Sequence, residues 1–177
     1  EPKEDSVFER GDFYLTNAET AMVEKVKTAF PKVVVVMNVG GMVDTQWFKN
    51  DDAVDAVLMA WQGGMEGGTA AAELLMGIGT PSGKLSDTFA KELADYPSTE
   101  GFHESEYFVH YTEDIYVGYR YFETIPGAKE KVNYPFGFGL SYTEFEIEFV
   151  KAKQLAEEIS LQVRVTNTGN YEGKEVV

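Results

Sequence analysis

The 177-residue chain contains no cysteine, only two histidines and few basic residues. The absence of cysteine excludes disulfides, thiolate nucleophiles and cysteine-ligated zinc. With only two histidines, His103 and His110, a histidine-based metal site or a Ser-His-Asp triad is improbable. Both lie in an acidic, aromatic segment, so we predict that they are surface residues. The chain has 15 basic and 30 acidic residues, and its net charge of −15 disfavours nucleic acid and anionic membranes as partners.

The chain also lacks a long apolar run. Its longest uncharged one, Val33–Val43, already contains Asn38 and two glycines, whereas a membrane-spanning helix needs about 20 apolar residues. The first residues, Glu1–Asp5, are charged and unlike a signal peptide. This favours the cytoplasm without deciding the compartment.

The first half of the chain has the pattern of an α/β fold. Thr16–Glu19 matches a helix capping box, and Pro31 ends the predicted helix. Val33–Val39 and Val54–Trp61 are apolar except for Asn38 and Asp55, which predicts neighbouring parallel strands that are buried on both faces. An alanine-rich helix is predicted from Thr69 to about Met76.

The second half of the chain has a different character. Glu100–Glu123 combines eight aromatic residues with six acids, which predicts a long loop packed on a domain surface and holding domains together. Phe145–Phe149 and Ile159–Val165 alternate apolar and polar residues, as half-buried antiparallel strands do. A third strand is expected at Glu175–Val177. Because three strands do not complete a β-sandwich, we expect the chain to be a piece of a larger protein.

Seven motifs occur in a fixed order along the chain. They are Gly11–Leu15, Val33–Val39, Asp55–Trp61, Gly67–Gly68, Pro81–Leu85, Tyr116–Phe122 and Tyr134–Thr143. Over nearly its whole length the chain thereby resembles the C-terminal region of glycoside hydrolase family 3 enzymes, the β-glucosidase-like group. The resemblance implies an α/β fold: residues 1–126 would be the second half of a three-layer sandwich with a mostly parallel sheet. Residues 127–144 would be a linker, and residues 145–177 the first strands of an all-β fibronectin-III-like sandwich.

The function that this resemblance implies is that of a retaining β-glycosidase acting on terminal β-glucosides. Its partners would be a β-linked oligosaccharide or glucoside and the remaining domains of the same protein, and its chemistry requires no metal or organic cofactor. The nucleophilic aspartate would lie on a barrel domain outside this chain. One alternative is a catalytically silent carbohydrate-binding or scaffold relative. Another is a flavodoxin-like regulatory or nucleotide-binding domain.

Glu1 and Trp47 are the site residues that the sequence offers. In the family, the acid/base glutamate lies just upstream of the motif that begins here at Gly11, and Glu1, with Glu4 next, occupies that region. The alternative is that Glu1–Asp5 is a solvated acidic terminus and that the acid lies elsewhere. Trp47 follows the first strand and is the candidate for stacking on a sugar ring, whereas Trp61 closes a buried strand and is expected to pack in the core.

Two further segments resemble catalytic motifs but are assigned structural roles. Asp87 lies in a Ser-Asp-Thr context within the Pro81–Phe89 segment, so the resemblance implies a surface or capping residue rather than the nucleophile. The segment Gly63–Gly68 lies between a strand and a helix, as a phosphate loop would, but it fails the G-x-G-x-x-G spacing and has no lysine. We therefore predict a tight turn there, with Glu66 as a carboxylate favoured at the helix N-terminus.

Overall fold

The computed structural model describes residues 12–99, 101 and 105–177. In this part of the chain the helices are α1 (Asn17–Ala29), α2 (Gln46–Lys49), α3 (Gly67–Leu75) and α4 (Tyr119–Thr124). The strands are β1 (Val34–Met37), β2 (Ala56–Met59), β3 (Phe89–Ala90), β4 (Val132–Tyr134), β5 (Phe145–Gln154) and β6 (Ile159–Asn167). Short 3₁₀ turns occupy Leu93–Asp95, Asp114–Tyr116 and Ala128–Lys131.

The first helix begins and ends where local sequence signals place it. The Thr16 hydroxyl accepts a hydrogen bond from the Glu19 N–H at 3.2 Å, and the Glu19 carboxylate accepts one from the Thr16 N–H at 2.8 Å. These reciprocal bonds satisfy two of the N–H groups that a helix start leaves free. At the other end Phe30 is already extended, as the residue before a proline prefers to be. The predicted capping box and helix end are confirmed.

β1 and β2 form a parallel pair, in register from Val34 opposite Ala56 to Met37 opposite Met59. The predicted parallel pairing is therefore confirmed. The predicted burial on both faces is wrong for β1, because Val34 and Val36 are 51% and 42% exposed. Side chains alternate between the two faces of a strand, and among the described residues only the face that carries Met37 is covered.

An ionic clip fixes the amino-terminal end of this parallel pair. The Asp55 carboxylate accepts hydrogen bonds from the Val33 N–H at 2.8 Å and from the Lys32 ammonium at 2.7 Å. The Asp55 N–H in turn donates to the Val33 carbonyl at 2.9 Å. The Lys32 bond and the Val33 N–H together lower the pKa of Asp55 below its usual range.

A small core lies where the sequence predicted a surface loop. Phe122, on α4, is only 1% exposed and packs in one cluster with Ala90 and Ala128. The Tyr96 ring meets the Phe122 ring edge-on at 5.8 Å. The expectation of a surface loop is therefore wrong for the end of the aromatic segment. The prediction rested on the overall composition of 24 residues. Composition does not reveal the short helix at the end of the segment, which directs Phe122 into the core.

The β5–β6 hairpin is antiparallel, as predicted, and pairs Phe145 with Asn167 and Gln154 with Ile159. Its predicted half-burial is wrong, because every residue of the two strands except Phe145 is exposed. The predicted third strand, Glu175–Val177, is not formed. Both differences have one reason: alternation shows which face is apolar, but burial and strand pairing require a partner sheet.

The chain divides into two compact units, each made of two separate stretches. One unit comprises residues 1–67 and 86–136, and the other comprises residues 68–85 and 137–177. The described sheets are three two-stranded pairs, of which β1–β2 is parallel while β3–β4 and β5–β6 are antiparallel. The coarse expectation of mixed helices and strands is confirmed. No helix in the described part of the chain has the length and apolar character needed to cross a membrane.

Candidate functional site

The carboxyl edge of the β1–β2 pair carries two glycine-containing loops. Because the strands are parallel, the loop with Gly40 and Gly41 after β1 and the Gln62–Glu66 loop after β2 leave the sheet at the same edge. Open α/β sheets bind ligands at this edge. We therefore describe the residues after these two strands as the candidate site.

The loop after β2 is a tight turn that glycine makes possible. A Cβ atom on Gly63 would lie 2.8 Å from the Gly67 Cα, which is backbone and has no flexible end to move away. Glu66 is exposed and directly precedes α3, in the N-terminal position predicted for it. Met65 beside it is fully exposed.

Trp61 joins β2 to this loop in an unusual backbone conformation. Its φ angle is +54°, and Asp114 is the only other non-glycine residue with positive φ among those that the structure describes. A left-handed conformation costs a bulky residue roughly 1–2 kcal/mol. The Trp61 ring lies 6.0 Å from the ring of Phe89, which is 1% exposed. The predicted packing role of Trp61 is confirmed, and its strained backbone is a feature that composition did not reveal.

Trp47 lies on α2 beside a small cavity of about 100 Å³. The cavity is lined by Leu15, Thr20, Val23, Glu24, Asp44 and Trp47. The Trp47 Nε1–H is buried and has no hydrogen-bond partner among the described residues, and its ring meets the Phe48 ring edge-on at 4.9 Å. Typical small-molecule pockets measure roughly 300–1,000 Å³, so this cavity does not enclose a sugar by itself. No residue of the Gln62–Glu66 loop is among those that line it.

A buried polar cluster holds α2 in place, and sequence reasoning missed it. Thr45 and Asn133 are 0% and 3% exposed, and the Asn133 side-chain amide donates to the Thr45 hydroxyl at 2.5 Å. The Lys49 ammonium donates to the Asn133 carbonyl and lies 4.2 Å from the centre of the Tyr134 ring. Burial, and then the charge of Lys91, lowers the pKa of Lys49. Because Thr45 and Asn133 are 88 positions apart, no local pattern announces the pair.

The carboxyl groups of Asp87 and Glu113 interact with each other. Asp87 is partly buried, and its carboxylate accepts a hydrogen bond from the Thr88 N–H at 2.7 Å. Burial raises the pKa of Glu113 above its ordinary value of 4.5, and the negative charge of Asp87 adds to the rise. A Cβ on Gly118 would lie 3.1 Å from the Asp87 carboxylate, so glycine gives this carboxylate its space.

The other candidate residues are placed as follows. Glu1, Glu4 and His103 lie outside the described residues. His110 is exposed, as predicted, with its ring 4.9 Å from that of Phe108. Within residues 12–99, 101 and 105–177, no three metal-ligating side chains cluster together.

Comparison with known proteins identifies the class of protein to which this site belongs. The model of the glycosyl hydrolase family 3 C-terminal domain matches residues 1–142. The chain therefore belongs to glycoside hydrolase family 3, and the resemblance seen in its sequence motifs is confirmed.

Individual relatives agree with this assignment. Beta-glucosidase A of Butyrivibrio fibrisolvens is 63% identical over 97% of this chain and 22% of its own length. A beta-glucosidase of Ruminococcus albus is 43% identical over 99% of this chain and 18% of its own length. The crystal structure of a beta-glucosidase from Paenibacillus barengoltzii superposes with a TM-score of 0.80 at 47% identity, covering 89% of this chain and 17% of that one. The chain thus spans about a fifth of the length of the relatives that it matches.

Proposed function

We propose that the protein to which this chain belongs hydrolyses terminal β-glucosides by double displacement with retention. The observation that carries this proposal is the 63% identity to a beta-glucosidase over 97% of the chain. A match over that much of the chain includes the β1 and β2 segments together with the loops at their carboxyl edge, where α/β proteins bind ligands.

The retaining mechanism requires two carboxyl groups about 5–5.5 Å apart. One attacks the anomeric carbon, while the other protonates the leaving oxygen and later activates water. Under our proposal Glu1 is this acid/base, and the nucleophile comes from a barrel domain outside the chain. The support for Glu1 is its position upstream of the Gly11–Leu15 motif.

Trp47 is proposed as a substrate contact at the same site. Its support is the buried indole N–H that lacks a partner among the described residues, together with the adjoining cavity that the Asp44 and Glu24 carboxylates help to line. A sugar hydroxyl could accept from the indole N–H and donate to a carboxylate. Because the cavity is small, it would take a hydroxyl group at the rim of a larger site rather than a whole ring.

The uncovered apolar faces support the finer architecture that the family implies. Val34 and Val36 project from the exposed face of β1, and Phe149 and Leu161, on β5 and β6, are 63% and 66% exposed. Apolar surface of this kind favours burial against further layers. We assign residues 1–126 to half of a three-layer sandwich, 127–144 to a linker and 145–177 to the first strands of a fibronectin-III-like domain. The remaining domains of the protein would then cover these faces.

The test of retention uses the intact protein and an aryl β-glucoside. Proton NMR during the first minutes of hydrolysis should show β-glucose before mutarotation produces the α-anomer. Initial formation of α-glucose would contradict the double-displacement mechanism. Binding of glucosides without turnover would instead support the catalytically silent alternative.

The role of Glu1 is tested by the substitution Glu1→Gln in the intact protein. A missing general acid should slow substrates with poor leaving groups by about 10²–10⁴-fold, while activated aryl glucosides lose least in the first step. Added azide should restore turnover of the activated substrates, because a small anion can replace the water that lacks its base. Glu66→Gln is the matched control and should show neither effect. A uniform loss for all substrates without azide rescue would assign the acid to another residue.

A further inference from the structure

The side-chain amide of Gln62, in the loop after β2, lies against Gly40, in the loop after β1. A Cβ atom on Gly40 would lie only 2.7 Å from the Gln62 Nε2 atom and 3.2 Å from its Cδ. The carboxamide therefore lies directly over Gly40, at the end of the neighbouring strand. A side chain at position 40 would occupy the same space, so glycine there allows the amide to sit across the edge.

The strained backbone of Trp61 precedes this amide. Trp61 follows β2 with φ of +54°, and its ring packs against Phe89, so the chain leaves the extended conformation immediately before Gln62. An extended residue at position 61 would carry Gln62 onward along the strand direction. Non-glycine residues in such conformations concentrate at functional sites, where the surrounding structure maintains the strain. Here the feature that the strain positions is the Gln62 carboxamide.

The chemistry of this amide matches a sugar hydroxyl. Gln62 is exposed, and its amide makes no hydrogen bond to another described residue. A primary amide offers two donors on nitrogen and an acceptor oxygen. A hydroxyl group both donates and accepts, so one amide can bind a vicinal hydroxyl pair through complementary bonds.

We propose that Gln62 binds hydroxyl groups of the leaving-group sugar and thereby favours glucosyl disaccharides over aryl glucosides. This inference rests on the proposed function, in which this chain supplies the acid/base side of the active site and the general acid faces the leaving oxygen. A residue on the same side of the active site as the general acid therefore lies where the leaving-group sugar would bind.

The first experiment compares two substrate types in the intact enzyme. Gln62→Ala should lower kcat/KM for the best of a panel of glucosyl disaccharides by roughly 2–12-fold for each neutral hydrogen bond that is lost. Hydrolysis of 4-nitrophenyl β-glucoside should be unchanged, because its leaving group offers no hydroxyl. Gln162→Ala, on the exposed face of β6, is the matched control and should affect neither substrate.

The second experiment displaces the amide without removing it. Gly40→Ala introduces a methyl group that only the flexible end of Gln62 obstructs, so the protein should stay folded while the amide moves. Its disaccharide defect should equal that of Gln62→Ala, and the double variant should be no worse than either single one. Gly41→Ala is the matched control, because a Cβ there meets nothing within 4 Å.

Each outcome decides the inference. An equal loss on both substrate types, or no loss on either, overturns the role of Gln62 while leaving the proposed function intact. A wild-type enzyme that cleaves the aryl glucoside but no disaccharide also overturns it. A wild-type enzyme that cleaves neither overturns the proposed function and this inference together. Additive effects of Gly40→Ala and Gln62→Ala would show that the two positions act separately.

Discussion

The buried pair of Thr45 and Asn133 gives the sharpest test of how this structure is held together. Both side chains are almost fully buried, and the Asn133 amide donates to the Thr45 hydroxyl at 2.5 Å. Thr45→Val keeps the shape of the side chain but removes the acceptor. The Asn133 N–H is then left without this partner in a buried site, which costs about 1–3 kcal/mol.

A double substitution separates this desolvation cost from simple loss of packing. In Thr45→Val/Asn133→Leu both polar partners are gone, so no buried group is left unpaired by the change. When apolar groups of similar shape replace both partners, the net cost approaches zero. We therefore expect the double variant to cost less than the sum of the two single substitutions.

The assay is thermal unfolding of the intact enzyme followed by calorimetry, with hydrogen exchange reporting on the segment around Thr45. For a domain of 150–250 residues, each kcal/mol shifts Tm by roughly 2–4 °C. Thr166→Val, on the exposed strand β6, is the control and should leave Tm unchanged. An unchanged Tm for Thr45→Val, or strictly additive losses in the double variant, would refute the reasoning.

Further predictions address the pH dependence, the clip, the loop and the isolated chain. Folded Glu113 holds its proton above pH 4.5 while the unfolded residue loses it, so this group's stabilisation falls as pH rises through that window. Glu113→Gln should therefore flatten the pH dependence of unfolding there, and an unaltered profile would contradict it. Asp55→Asn should lower Tm at neutral pH but change it little in acid, because the lowered pKa means that this carboxylate stabilises the fold only when it is ionised. Equal Tm losses at both pH values would show that the ionised Asp55 does not stabilise the β1–β2 pair. Gly63→Ala should lower Tm more than Gly64→Ala, since only the former meets backbone; equal shifts would disprove the tight turn. The isolated 177-residue chain should release no nitrophenol from an aryl β-glucoside above a boiled control, because we place the nucleophile outside it.

Features governed by neighbours in the sequence were predictable without a structure. The capping box at Thr16–Glu19 and the helix end before Pro31 depend on residues a few positions apart, and both are confirmed. The largely apolar character of Val33–Val39 and Val54–Trp61 predicted the parallel pair, because such a run suits a strand of a parallel sheet. The ordered motifs were sufficient to indicate the family.

Tertiary structure decided the features that depend on residues far apart in the chain. Thr45 bonds to Asn133, 88 positions away, and the Gln62 side chain lies against Gly40 after a left-handed Trp61; no sequence period encodes either contact. The sequence determined which surfaces are apolar, but not which of them this chain covers. Periodicity records the direction of a side chain relative to its own backbone, whereas burial depends on what packs against it.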